Sequence, residues 1–72
     1  MNLTPRQRTI MDGISRGEPY KAIAEAIGGV SVWTIDGELR QIRRKLGAHT
    51  TPHAVALYLT DSRKRQDALT SV

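Results

Sequence analysis

Apolar residues fall along this chain in four clusters with helical spacing, and Gly, Pro and Thr separate the clusters. Spacings of three and four place apolar side chains on one side of a helix. The first cluster is Ile10, Met11 and Ile14, with Leu3 just ahead of it. It follows Thr4-Pro5-Arg6-Gln7, in which Thr4 caps the helix, Pro5 suits its first position and Gln7 completes a capping box. Gly17 is the expected stop. The second cluster, Ile23, Ala24 and Ile27, predicts a helix of about two turns that starts at Pro19 and ends at Gly28-Gly29. The third is the clearest. Behind a Ser31 cap, Ile35, Leu39, Ile42 and Leu46 lie within about 60° of one another on a helical wheel, and Gly47 ends the helix. In the fourth, Thr51-Pro52 repeats the cap-plus-proline device, Val55 and Leu59 form an inward i, i+4 pair, and Ala54, Leu57 and Tyr58 add apolar surface. The brief alternation V-S-V-W-T-I over residues 30–35 is the one strand-like signal, and the Ser31 cap with the longer helical stripe outweighs it. The expected fold class is all-α, a four-helix domain.

Length changes this picture little. At 72 residues the chain holds one small domain, whose core is modest and which compact helical packing or oligomerisation would support. With no cysteine there is neither a disulfide frame nor a zinc–thiolate site. The start MNLTPRQRTI lacks the apolar run of a signal peptide, and no segment approaches about 18 apolar residues. A soluble, cytoplasmic protein without a membrane partner is expected. The two histidines, His49 and His53, flank a helix start with no third ligand or suitable nucleophile near them in sequence. No metal, no cofactor and no enzymatic activity are expected.

Charge changes it more. Eleven Lys and Arg stand against seven Asp and Glu, a formal net charge of +4. Arg40, Arg43, Arg44, Lys45, Arg63, Lys64 and Arg65 all lie in the second half of the chain. An anionic partner is implied, and nucleic acid is the commonest. The wheel of the third helix adds a surface for it. Trp33, Gly37, Arg40, Gln41 and Arg44 cluster opposite the apolar stripe, with Asp36 on one shoulder and Glu38 nearer the core on the other side. Arg offers bidentate contacts to guanine and Gln to adenine, and either can hold phosphate. Gly37 costs about 1 kcal/mol of helix stability against Ala and leaves a gap through which a base edge can approach the backbone. Asp36 and Glu38 repel phosphate.

Four segments in register carry a family resemblance: L-T-P-R-Q-R at 3–8, G-x-x-x-K-x-I-A at 17–24, S-x-x-T-I at 31–35 and I-R-R-K-L-G-A at 42–48. Together they resemble the LuxR-type, or GerE-like, helix-turn-helix DNA-binding domain, from Leu3 to about Leu59. The resemblance implies residues 1–62 as the domain; residues 63–72 read as a basic and then polar tail, whose Arg63-Lys64-Arg65 can extend helix four and whose last residues are expected to fray. It implies that helices two and three form the helix-turn-helix, that helix three enters the major groove of double-stranded DNA, and that helix four pairs two copies. On that template Lys21 and Thr34 approach phosphate, and Trp33, Asp36, Gly37 and Arg40 face bases or phosphate. Ala54, Leu57, Tyr58 and Asp61 meet a second subunit of a homodimer.

Three positions depart from the family pattern. Asp36 stands where a basic residue is usual, and Glu38 where His is frequent. Gly28-Gly29 adds one residue to the turn, which would alter the angle between helices two and three. Gln7 replaces a Glu, keeping the capping box without its charge. With Leu3 so near the first residue, no sensing domain is expected ahead of this one, and control is expected from expression level, partners or promoter architecture. Two functions are consistent with these residues. The first is a dimeric, sequence-specific transcription regulator. The second is a protein-interaction module that turns the same helix toward RNA polymerase, a sigma factor or another regulator, motivated by Trp33, Asp36 and Glu38.

Overall fold

In a computed structural model the chain is described over residues 2–70, with side chains to residue 61. Four helices make up the described part: α1 (Pro5–Ser15), α2 (Tyr20–Ile27), α3 (Val32–Leu46) and α4 (Thr51–Thr70). No strand occurs among the described residues, and residues 30–35 pass from a short turn into α3.

The boundaries follow local chemistry. Thr4 accepts from the Gln7 backbone N–H at 3.1 Å, and Gln7 Oε1 accepts from the Thr4 N–H at 3.1 Å, closing the capping box of α1. These two bonds satisfy backbone donors that a helix start otherwise leaves open. Ser31 caps α3 by accepting from the Thr34 N–H at 3.2 Å. Gly47 ends that helix in the left-handed region at φ 70°, where a residue without Cβ is unstrained. Arg43, Arg44 and Lys45 occupy the last turn of α3, where cations face the negative end of the helix dipole. The start of α4 differs from expectation. Thr50 is the cap, accepting from the His53 N–H at 3.2 Å, while Thr51 is the first helical residue and accepts from Arg43 at 3.1 Å. Two adjacent threonines with Pro52 behind them allow either register, and the Arg43 contact uses the second hydroxyl.

α1 packs on each of the other three helices, and α3 packs on α2 and on α4. The core between them holds Leu3, Ile10, Met11, Ile23, Ala24, Ile35, Leu39, Ile42, Ala54 and Tyr58. Ile14, Ile27, Leu46 and Val55 pack against its edge. The inward pair of α4 is therefore Ala54 with Tyr58, not Val55 with Leu59. Leu59 is 48% exposed and Ala54 is fully buried. Small Ala54 lies in the core on which α4 packs. Tyr58 is long enough to cross the core edge, and its hydroxyl donates to Asp12 Oδ1 at 2.6 Å, tying α4 to α1.

α1 and α2 meet at a glycine. A Cβ at Gly13 would sit 2.7 Å from Ile23 Cγ1 and 3.0 Å from its Cδ1, so only glycine permits this crossing. The α2–α3 turn also depends on glycine: Gly28 and Gly29 take φ 125° and 83°, values that L side chains rarely adopt. Both their N–H groups reach the Ala24 carbonyl at 3.3 Å. The described helix α4 continues through Arg63, Lys64 and Arg65 to Thr70. The side chains of that stretch, and residues 71–72 of the expected polar tail, lie outside the described residues.

Candidate nucleic-acid interface

The core stripe of α3 fixes which side faces out. With Ile35, Leu39 and Ile42 fully buried, the positions about 180° away on a helix of 100° per residue must face solvent. Trp33, Gly37, Arg40, Gln41 and Arg44 are all exposed, as the wheel requires. Trp33 is the extreme case at 84% exposure. Helix α1 leaves it uncovered, and among the described residues nothing shields the indole from water.

The shoulders of this face are more constrained. Asp36 Oδ2 lies 3.1 Å from Arg40 Nη2, one turn along the helix. Both side chains are substantially exposed, so the pair itself adds only a few tenths of a kcal/mol to stability. Its larger effect is on charge: the acid neutralises one of the two cations of the face and draws the guanidinium toward its own shoulder. Arg44 has no such neighbour among the described ion pairs, which are Arg40–Asp36 and Arg16–Glu18. In the second pair Glu18 accepts from Arg16 Nε at 2.7 Å and raises the guanidinium pKa, so Arg16 is already occupied by an acid.

At the far end of the face the α1 cap reaches in. Gln7, only 1% exposed, accepts from Lys45 Nζ at 2.8 Å and donates to Gln41 Oε1 at 3.5 Å. The first bond fixes Lys45 against α1. The second is at the limit of hydrogen-bond length and holds Gln41 only loosely. A buried amide that serves α1's cap, Lys45 and Gln41 links the start of α1 to the outer edge of α3. The periodicity of α3 said nothing of this link. Only the reciprocal cap of Gln7 was legible, and that left one lone pair and the amide nitrogen for other partners.

The remaining expected contacts are placed as follows. Lys21 is exposed in the first turn of α2. Thr34 is half-buried, with its hydroxyl 3.1 Å from the Ser31 hydroxyl. Glu38 is half-buried on the side of α3 away from Asp36. On α4, Leu57 and Asp61 are half-buried, whereas Ala54 and Tyr58 lie in the core of their own chain. Two of the four residues expected at a second subunit therefore face inward, where α4 packs on α1 and α3. His49 and His53 are exposed with ring centroids 6.0 Å apart. No group of three metal-ligating side chains occurs among the described residues, and no described helix is long and apolar enough to cross a membrane.

The arrangement is a short helix, a glycine turn and a longer helix whose outer face presents two arginines, an amide and an aromatic residue. That geometry suits insertion of α3 into a groove lined by phosphate and base edges. A family model, GerE, described as bacterial regulatory proteins of the luxR family, matches residues 1–58. No curated protein and no solved structure matches the chain closely.

Proposed function

The chain belongs to the LuxR family of bacterial regulatory proteins, DNA-binding helix-turn-helix regulators, and from that premise we propose that it binds specific operator sequences through α3 in the major groove, as a dimer. The observation that carries this reading is the outer face of α3, where Trp33, Gly37, Arg40, Gln41 and Arg44 are exposed together opposite a fully buried stripe. Arg44 and Arg40 supply bidentate donors for guanine or phosphate, and Gln41 supplies a paired donor and acceptor for adenine. Lys21 and Thr34 flank the helix as phosphate contacts. In a dimer, two such helices would meet half-sites about 34 Å apart. Half-buried Leu57 and Asp61 lie on one flank of α4 and exposed Leu59 on the other, with the buried Ala54 and Tyr58 between the two flanks; the exposed apolar flank at Leu59 is the one left for a second copy.

The test is duplex binding measured against salt. Affinity should fall steeply, with a logarithmic slope near −0.9 per phosphate contacted. Arg44→Ala should cost about 1–3 kcal/mol if it contacts a base, and relax preference at one position of the site. Absence of duplex binding at low salt would sink the reading.

A second reading rests on Trp33 and on the neutralised Arg40. A solvent-exposed indole beside a charge-balanced pair suits a protein surface as a binding hot spot. RNA polymerase, a sigma factor or another regulator would be its target. Trp33 fluorescence titrated with duplex and then with such proteins separates the two, since a response to protein alone favours the second.

A further inference from the structure

Two glycines sit inside helices of this fold, and only one is explained by it. Gly13 is required because Ile23 fills the space its side chain would take. Gly37 lies in the middle of α3, outside the positive-φ residues, and a Cβ there would meet nothing within 4 Å. Neither backbone conformation nor packing within the chain calls for the missing side chain. The glycine nevertheless weakens the helix relative to alanine. Its position is the centre of the outer face: Trp33 precedes it by one turn, Gln41 follows by one turn, and Arg44 lies within about 20° of it on the wheel. Neighbouring side chains leave the position open. Arg40, the nearest cation, is drawn by Asp36 toward its own shoulder at 3.1 Å, on the side away from Gly37.

The chemistry of the opening restricts what can fill it. Backbone N–H and C=O groups in mid-helix are used in the helix's own ladder. Gly37 therefore offers space and an apolar Cα surface, and no hydrogen bond. Among the groups that base pairs present in the major groove, the donors and acceptors of guanine, adenine and cytosine would lose their water there without replacement. The thymine 5-methyl group is the one apolar protrusion, and burying it is favourable.

We propose that Gly37 is a specificity-determining residue: the opening it leaves at the centre of α3's exposed face receives the 5-methyl group of one thymine, which sets that position of the recognised sequence. This rests on the DNA-binding reading and adds to it a base identity at a named residue. The Asp36–Arg40 pair has a positioning role, holding the guanidinium clear of the opening.

The experiment uses the full chain and the tightest duplex recovered from a random pool. Each thymine of that duplex is replaced in turn by uracil, which removes only the methyl group. One position in each half-site is expected to lose about fourfold in affinity, the factor for one buried carbon, with the others unchanged. Gly37→Ala should lower affinity for the thymine duplex by at least about tenfold, in line with the cost of overfilling a close-packed contact, and should recover affinity on the uracil version, where the methyl that the new Cβ meets is gone. Thermal unfolding of Gly37→Ala should occur at a higher temperature than for the parent, which shows that the lost binding is not lost folding. If every uracil duplex binds like the thymine duplex, or if Gly37→Ala binds as well as the parent, the opening does not read thymine and the inference is overturned while DNA binding stands. If no duplex is recovered at low salt, the DNA-binding reading fails and this inference falls with it.

Discussion

Gly13 and Gly37 show how one residue type in one kind of element can answer to different demands. An alanine at position 13 would push its Cβ into Ile23, which is buried, so something in the packed core must shift. Overpacking of that kind costs about 1–3 kcal/mol, against a gain of about 1 kcal/mol in helix propensity. Gly13→Ala is expected to lower the denaturation midpoint, and Gly37→Ala, which meets open space, to raise it. Measuring both in urea checks the geometry directly, and equal shifts of the same sign would contradict it. Tyr58 makes a second residue-scale case. Its hydroxyl joins α4 to α1 through Asp12 at 2.6 Å, and Tyr58→Phe should cost about 1 kcal/mol of stability. The loss should leave the denaturant slope unchanged, because the fold and its buried surface remain.

At the scale of the element, α3 does two jobs with its two sides. The inward stripe needs no more than Ile35, Leu39 and Ile42 to hold the helix. The outward side is consequently free to carry residues that weaken the helix or repel DNA. Asp36 is the informative one. It pairs with Arg40 at i, i+4, so it subtracts a charge from the face while ordering a cation. Asp36→Asn should release that cation and remove a repelling acid. Binding to random duplex should then tighten, and its salt dependence steepen by about one phosphate's worth of slope. Preference for the selected sequence over random duplex should fall in the same experiment. A variant that binds all duplexes more weakly would contradict this account. The start of α4 is another element-scale feature, since Thr50 caps it and Thr51 ties it to Arg43. The order Thr50-Thr51-Pro52 announces a helix start, and the partner of each hydroxyl depends on where the end of α3 lies.

At the scale of the molecule, the question is how a domain this small presents α3 rigidly. α1 is central, since it touches every other helix. Its cap residue Gln7 also reaches the outer edge of α3 through Lys45 and Gln41. α4 closes the core with Ala54 and Tyr58 and leaves Leu59 exposed. If α4 pairs two copies, Leu59→Glu should shift the protein toward monomer in sedimentation while leaving its unfolding transition nearly unchanged. It should also weaken binding to a two-half-site operator much more than binding to a single half-site. An unchanged mass would argue that the pairing surface lies elsewhere.

The sequence by itself determined the helices, most of their ends and the outward face of α3. These depend on local chemistry: caps, left-handed glycines and a 3.6-residue period need only neighbours in the chain. The family followed from the same local segments in register, and the match over residues 1–58 agrees with it. The inward side of α4 was not legible in this way. Val55 with Leu59 and Ala54 with Tyr58 have equal spacing, and hydropathy favours the first pair. Tertiary structure decided for the second, because the way α4 docks turns Ala54 and Tyr58 into the core and puts the polar tip of Tyr58 within reach of Asp12. The two helical glycines were likewise indistinguishable in sequence. One lies under Ile23 and the other faces open space, a difference that exists only once α2 is packed on α1 and α3 has turned its far side to solvent.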